Sequence, residues 1–482
     1  LDIKDAFIHT FNTRQGYYLY DVNTNSILKI DKNLYEYINK RKNGSSEIKE
    51  DLEEKINKMR DQGFLSSKRV EKMEHSFSSL LPYVIKNRLS SITLQVTQQC
   101  NLRCEYCVYS GSYKNRIHDD KSMSFDIAKK GIDLLIENSS ESNMINIGFY
   151  GGEPLLRPDF IMQCVEYAKE QAEGQNILFH MTTNGTLLKG KIADYMAEND
   201  VQILVSLDGP EEIHDKNRKF ASNGKGTFKV IMENIAELKK KHPEYVKKNI
   251  SFNAVLDGTT DFHCTTKFFC EYEDIKDFRI NTASVSNQYS NKEIRMKESF
   301  YIDISYERFK FLLYKLGKLD KRYASKLYET EFAKSIVSIN ERKNYKSVSK
   351  KEHHGGPCVP GLNRLFMDTD GTFYPCERVS ELSEHMKIGN IYDGFDLDKM
   401  DKILNIGRLT EDKCRNCWAY RFCYLCAAFA DNIEGLSKEK KLSNCVRVRN
   451  DIEERMKNYC MMREMGYAFN DEAAYALEGE VL

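Results

Sequence analysis

Short apolar runs and amphipathic runs alternate through the middle of the chain. The runs at 91–97, 145–151, 176–183, 202–208, 249–257 and 277–285 are apolar and bounded by turn residues, which predicts buried strands. Between them, residues 124–137, 159–173, 190–199, 227–242 and 261–271 repeat apolar positions at helical spacing. That βαβα rhythm predicts a parallel sheet with helices packed outside it. Six units are too few for a closed eight-stranded barrel. The expected fold class is therefore α/β, a partial (β/α)6 TIM barrel over residues 90–285.

Residues 1–85 read differently. Phe7 to Phe11 alternates, Gly16 to Val22 reads as a strand, Asn23 to Ser26 as a turn and Ile27 to Ile30 as the return strand. Asp31 is placed to cap a helix beginning near Leu34, and Leu52, Ile56 and Met59 share one face of a second helix over 47–62. Phe64 and Leu65 read as a short closing strand. Strands and helices in so short a stretch predict a separate, winged-helix-like domain. Its sheet edge can capture an extended peptide by strand addition; a purely packing role fits the composition equally well. Ser76 to Leu80 reads as the linker. Residues 286–350, with Tyr301, Phe309, Leu312, Leu313 and Leu316 at helical spacing, read as a helical connector, and 451–482 as a helix and tail.

Composition narrows the class. A chain of 482 residues exceeds what one core usually holds. Hydrophobic residues make up 41% and charged residues 30%, an ordinary balance for a soluble protein. Lys+Arg and Asp+Glu both number 72, so no excess charge points to nucleic acid or a membrane surface. No apolar run approaches the ~20 residues of a membrane span. The first residues lack a signal-peptide pattern, so a cytoplasmic protein is expected. In that reducing setting fourteen cysteines argue for metal or redox chemistry rather than disulfides. Cys164, Cys264, Cys270 and Cys460 are scattered and read as ordinary thiols; the other ten fall into two patterned groups.

Cys100, Cys104 and Cys107 follow the first predicted strand, spaced C-x3-C-x2-C. Structural zinc usually takes four protein ligands, whereas three thiolates can each hold one iron of a [4Fe–4S] cube. The fourth iron is then open to a small molecule. Other suggestive runs also follow strands, where parallel α/β folds bind ligands. They are Gly151-Gly152-Glu153-Pro154, Thr182-Thr183-Asn184-Gly185, Ser206-Leu207-Asp208-Gly209 and the stretch from His214 to Arg218. The two glycines let a ligand approach the backbone, Glu153 can accept from an ammonium group, and Arg218 can pair with a carboxylate.

This succession resembles the radical S-adenosylmethionine (SAM) superfamily. The resemblance implies that Cys100, Cys104 and Cys107 hold a [4Fe–4S] cluster whose open iron binds SAM. It places Tyr106 near the adenine, the run Gly151, Gly152, Glu153 and Pro154 at the methionyl amino group, and Ser206 and Arg218 at the ribose and carboxylate. One electron from the cluster then yields methionine and a 5′-deoxyadenosyl radical.

The second group is Cys358, Cys376, Cys414, Cys417, Cys423, Cys426 and Cys445. So many thiols in a turn-rich stretch predict metal-dependent folding. With Gly371 in a G-x4-C run ending at Cys376, residues 351–450 resemble the cysteine-rich SPASM extension of radical SAM peptide-modifying enzymes. The run C-x2-C-x5-C-x2-C departs from that family's usual x3 at the last pair. The resemblance implies a nearer auxiliary cluster on Cys358, Cys376 and Cys426 and a distal one on Cys414, Cys417, Cys423 and Cys445, three [4Fe–4S] clusters in all. Residues 359–375 contain no cysteine, so the nearer cluster is expected to keep an open iron, which suits a substrate thiolate. His353 and His354 are the alternative ligands, read otherwise as solvated loop residues. Glu377 stands where formylglycine-forming relatives place a base; a salt-bridged glutamate fits as well.

The stretch from Gly16 to Ile38 resembles the leader-recognition element fused to maturases of ribosomally made peptides. Together the resemblances imply a maturase acting on a precursor peptide with a leader and a cysteine-containing core. A reduced flavodoxin- or ferredoxin-type protein would supply electrons. The expected product is a cysteine-to-carbon thioether: a hydrogen atom goes to the 5′-deoxyadenosyl radical, the carbon radical meets the thiolate, and one electron returns to the cluster. The alternatives are oxidation of cysteine or serine to formylglycine, carbon–carbon crosslinking, and a non-catalytic Fe–S or zinc scaffold.

Overall fold

The computed structural model describes residues 2–109, 112–172 and 174–469; the expected tail from residue 470 onward lies outside them. The chain begins as an antiparallel meander of β1 (Ile8–Asn12), β2 (Tyr17–Asp21) and β3 (Ser26–Ile30). Asp31 caps the helix Lys32–Lys42 by accepting from Leu34 N at 2.9 Å. The helix Glu50–Asp61 buries Leu52, Ile56 and Met59. Both helices pack on the sheet face made by Ile8, Leu19, Leu28 and Ile30.

The closing strand expected at Phe64 and Leu65 does not form. Leu65 N donates to the buried carboxylate of Asp21 at 2.7 Å, and Leu65 sits at φ 59°, so the chain turns there instead of extending. The next strand is β4 (Lys72–Met73), paired in parallel with β11 (Lys351–Glu352) far along the chain.

Nor is the meander a separate unit. Its second face, with Phe7, Phe11, Tyr18 and Tyr20, shares one core with Tyr420, Leu425 and Tyr459. Phe7 stacks on Tyr420 with centroids 6.0 Å apart, His9 stacks on Trp418 at 3.7 Å, and Arg421 Nε donates to Val22 O at 2.9 Å. The strands carry apolar residues on both faces, and the C-terminal cysteine region covers the second.

Next come β5 (Ser91–Thr97), β6 (Met144–Gly151), β7 (Asn176–Thr183), β8 (Gln202–Ser206), β9 (Ile250–Leu256) and β10 (Arg279–Ser284), parallel and in sequential order. The helices Phe125–Glu137, Pro158–Gln171, Gly190–Glu198, Phe228–Lys241 and Phe262–Glu271 connect them. Short helices at Leu81–Asn87, Glu211–Asn217 and Pro243–Asn249 were not expected; two turns are too short to show a helical period. The sheet also runs on past β5. There β12 (Leu365–Met367) pairs in parallel with β5, and β13 (Thr372–Tyr374), β14 (Gly389–Asn390) and β15 (Gly394–Phe395) continue antiparallel to make ten strands. The C-terminal region is thus joined edge-on to β5, the strand that leads into the loop of the first three cysteines.

The two faces of the six parallel strands differ. Ile92, Leu94, Val96, Ile145, Ile147, Phe149, Phe179, Met181, Val205 and Phe252 are buried in the main core. The alternate positions, held in register across the sheet, include Thr93, Asn146, Tyr150, His180, Thr182, Ser251, Asn253 and Asn281, all only partly buried. A complete eight-stranded barrel fills its interior with branched apolar side chains; this one has a polar lumen.

The connector holds the helix Glu298–Lys315, which buries Phe300, Phe311 and Leu312 but leaves Tyr301, Ile302, Tyr306 and Phe309 exposed. Among the described residues no helix is long and apolar enough to cross a membrane.

Candidate functional site

The loop after β5 is held by its backbone. Gly152 N donates to Thr97 O at 2.7 Å, Glu153 N to Gln99 O at 2.8 Å, Arg103 N to Lys219 O at 2.9 Å and Ala221 N to Asn101 O at 2.8 Å. A Cβ on Gly151 would lie 2.2 Å from Thr97 O, and one on Gly152 would lie 2.0 Å from Gln99 O. The two glycines were expected to admit a ligand; what they admit is the backbone of the cysteine loop. Gly151, at φ 144°, also needs a conformation that suits glycine.

Glu153 is fully buried. Its Oε1 accepts from Leu155 N at 3.0 Å and Thr183 Oγ1 at 2.7 Å, and its Oε2 from Asn184 N at 2.7 Å. A carboxylate offers roughly four acceptor sites, so these three donors leave little for an ammonium group. Its evident work is to tie β6 to the Thr182–Gly185 turn, with Pro154 starting the next turn. From that turn Asn184 Nδ2 donates to Asn101 Oδ1 at 2.8 Å and lies 3.9 Å from Cys100 Sγ.

At the end of β8, Asp208 organises the other side. Its Oδ2 accepts from Tyr106 Oη and from Arg218 Nε at 2.9 Å, and its Oδ1 from Val255 N at 3.0 Å. Arg218 lies over the Tyr106 ring, 5.4 Å from its centroid. The carboxylate that Arg218 was expected to meet is therefore supplied internally, through Nε. Ser206 is buried at the end of the same strand. His214 accepts from Asp208 N at 3.3 Å and lies 2.9 Å from Thr227 Oγ1, which itself donates to Arg218 O. That chain puts the His214 proton on Nε2, and burial followed by the Arg218 charge pushes the imidazole down to about 3. The Arg218 and Asp208 side chains are only 8% and 2% exposed. Arg218→Ala is expected to cost about 3–5 kcal/mol, because it leaves a buried carboxylate unpaired; a guanidinium unfolding curve reads this as a lower midpoint.

The three thiols of the loop feel one another. Burial, then the Glu153 charge, pushes Cys100 up to about 12, with Cys107 and Cys104 adding to the shift. Burial pushes Cys104 up to about 11. The C-terminal cysteines sort into two such groups. Cys376 is pushed up to about 11 by burial, then Glu377 and Cys426; Cys426 is raised by burial and by Cys358. Burial likewise raises Cys417, Cys423 and Cys445, with Cys414 adding to each. Cys426 thus stands with Cys358 and Cys376 despite its shortened spacing. Among the described residues no three Cys, His, Asp or Glu side chains close round a single-ion position; a cube offers each thiolate a separate iron.

One expectation changes here, and Glu377 takes the salt-bridged form that the sequence leaves open. His353 and His354 are not solvated. His353 Nε2 accepts from Gly407 N at 2.8 Å and its Nδ1 donates to His354 O at 2.9 Å, while His354 is 1% exposed and adjoins Cys423 and Lys441. Glu377 pairs with Arg364 and lies 3.6 Å from Arg378. Sequence reasoning also missed Arg116, whose guanidinium is 1% exposed, 2.8 Å from Glu381, and donates to Glu377 O at 2.6 Å. No motif marks it, because Glu381 lies far along the chain.

The profile of the Radical SAM superfamily matches residues 94–263. An uncharacterized protein of Methanocaldococcus jannaschii is 32% identical over 230 residues, 48% of this chain and 72% of its own length. The chain belongs to the radical SAM superfamily. A cysteine-type anaerobic sulfatase-maturating enzyme of Clostridium novyi is 29% identical over 363 residues, 70% of this chain and 86% of that enzyme. The radical SAM cyclopropyl synthase TigE of Paramaledivibacter caminithermalis is 28% identical over 36% of each chain. Among solved structures, native anSMEcpe with bound AdoMet shares the fold, with a TM-score of 0.58 at 21% identity over 77% of this chain and 99% of its own.

For a radical SAM protein the superfamily implies a [4Fe–4S] cluster and SAM. The first cysteine set fits that group. Its thiols are grouped and partly buried, and Leu102 N already donates to Cys100 Sγ at 3.3 Å, as donors do around cluster sulfurs. A metal deprotonates a coordinating thiol outright, so the burial of Cys100 and Cys104 is compatible with thiolate ligation.

Proposed function

We propose that this radical SAM enzyme modifies a ribosomally made peptide and joins a substrate cysteine sulfur to a carbon of the same peptide. Cys358, Cys376 and Cys426 carry the reading: three thiols group there, Cys358 is exposed, and residues 359–375 contain no fourth cysteine. Such a set would hold three irons of a nearer auxiliary cluster and leave one iron for a substrate thiolate. Cys414, Cys417, Cys423 and Cys445 would hold a distal one. Bound at Cys100, Cys104 and Cys107, the cluster supplies the electron that splits SAM and so yields the hydrogen-abstracting radical.

The chain's own residues do the rest. The Gly151–Pro154 run keeps the cysteine loop on the end of β6, beside the place for the methionyl group. Asp208 fixes Tyr106 and the Nε side of Arg218; Tyr106 would then serve the adenine, the remaining Arg218 N–H groups the carboxylate, and Ser206 the ribose. The polar side chains along the lumen face suit a peptide, whose backbone needs hydrogen-bond partners. Arg364 and Arg378 neutralise Glu377, which favours a positioning role over that of a free base.

Formylglycine formation is the second reading, favoured by the sulfatase-maturating relatives. Co-expression with cysteine-containing peptides encoded nearby, followed by tandem mass spectrometry, separates the two. A thioether product lacks two hydrogens and resists iodoacetamide; a product in which oxygen has replaced sulfur would overturn the thioether reading. Cys376→Ala is expected to keep SAM cleavage within about tenfold while crosslinked product falls about a hundredfold or more, roughly 3 kcal/mol in barrier. Quantified 5′-deoxyadenosine and peptide product from one reaction give both values.

A further inference from the structure

Lys441 lies in the run KEKK, where lysines usually face solvent, yet it is 1% exposed. It sits on the short helix Lys438–Ser443 and points inward. Its Nζ donates to Thr410 Oγ1 at 2.7 Å and lies 3.6 Å from Cys414 Sγ. Among the described residues no carboxylate comes within ion-pair distance of it, although 36 such pairs are formed elsewhere. Its charge is felt by Cys423, Cys445 and the buried rings of His353 and His354. The neighbouring lysines behave differently: Lys438 pairs with Asp412 at the surface, and Lys440 donates to Asp431 O.

A buried ammonium without a counter-charge is costly, and such groups persist where a partner is supplied. Among the described residues, the groups beside Lys441 able to become anionic are the thiols of the distal set. We infer that Lys441 is a built-in counter-charge which raises the reduction potential of a cluster held by Cys414, Cys417, Cys423 and Cys445; this rests on the auxiliary-cluster reading above. One electron from a low-potential donor adds one negative charge to the cluster. A fixed positive charge hydrogen-bonded to a ligand sulfur stabilises that reduced form, since net charge and hydrogen bonds to sulfur set cluster potentials. Thr410 is the positioning residue, holding the ammonium against Cys414. Lys441 thereby favours the reduced distal cluster, which suits it to receive the electron released when a substrate radical is quenched.

The test is a redox titration of the anaerobically reconstituted full-length protein, poised with dithionite and followed by electron paramagnetic resonance, with iron counted in the same samples. In Lys441→Gln one reduction wave is expected to move to more negative potential by at least tenfold in its one-electron constant, about 59 mV, while the other waves stay. Lys441→Arg, which keeps the charge, is expected to hold the wild-type position. Full iron content with every wave unmoved in Lys441→Gln overturns the inference. If Lys441→Gln loses iron, Lys441→Arg decides: a retained cluster at the wild-type potential supports the charge, and loss in both variants overturns it in favour of packing. Wild-type protein with iron at the first cysteine set alone overturns the reading beneath it, a result distinct from either.

Discussion

Replacing Cys100, Cys104 and Cys107 together by alanine is expected to abolish reductive SAM cleavage. 5′-Deoxyadenosine should fall at least about 10³-fold, some 4 kcal/mol in barrier, with a loss of about four irons per chain. The loop itself should survive. Its anchors are backbone bonds, Gly152 N to Thr97 O, Arg103 N to Lys219 O and Ala221 N to Asn101 O, none of which uses a cysteine side chain. Asn184 and Thr186 continue to hold Asn101 from the next turn. A folded protein lacking one cube is therefore the expected product, and the C-terminal cysteines keep their own groups. The exposed Cys264 is the control: Cys264→Ala should leave iron and 5′-deoxyadenosine unchanged. Undiminished cleavage in the triple variant would remove the first cysteine set from the chemistry altogether.

The parallel strands were legible because most of them bury branched or aromatic residues against helices and end in a turn; β10 buries only Ile280. Ile145, Ile147 and Phe149 show this, with Gly151 closing the run. The first cysteine set was legible through its C-x3-C-x2-C spacing, whereas the division of the C-terminal cysteines followed only from a family resemblance, because Cys358, Cys376 and Cys426 lie far apart along the chain. Contacts formed across great sequence distance were not. Leu365–Met367 looks like any short hairpin strand, and nothing local says that it pairs with Ile92, Thr93 and Leu94. Glu153 looks like an acceptor waiting for a ligand, because its donors come from Thr183 and Asn184 in the following turn. Lys441 looks solvated because the packing that buries it comes from Thr410 and the cysteine array. The apolar faces of β1 and β2 show that the meander must be covered twice, but do not name Tyr420 and Trp418 as the cover.

That second covering changes what removal of residues 1–85 should do. A separate recognition domain would come away with a loss of peptide affinity alone. Here its removal strips Phe7, Tyr18 and Tyr20 from Tyr420, Leu425 and Tyr459, and takes Val22 O and Asn23 O from Arg421. Losing three buried aromatic partners costs about 3–5 kcal/mol each when truncated singly, comparable in sum to the whole stability of a domain. Deletion is therefore expected to lower the melting temperature sharply and to deplete iron from the C-terminal cysteines, so lost activity would say nothing of peptide capture. The sheet edge gives a cleaner test. Val22 N bonds Phe7 O and Thr13 N bonds Gly16 O, so even-numbered residues of β2 face β1. Odd-numbered β2 residues then face β3, where Leu19 opposes Leu28, leaving the backbone of Lys29 directed outward. Lys29 is the exposed residue of β3, and the side chains around it are buried. Lys29→Pro removes one outward N–H, a change edge strands tolerate. If a leader peptide adds to this edge, its affinity should weaken about tenfold, the worth of one main-chain hydrogen bond. The melting temperature and peptide-free SAM cleavage should stay within error. Fluorescence anisotropy with a labelled leader measures the first, and unchanged affinity with an intact fold would confine residues 1–85 to the packing role that Phe7 and Tyr20 already perform.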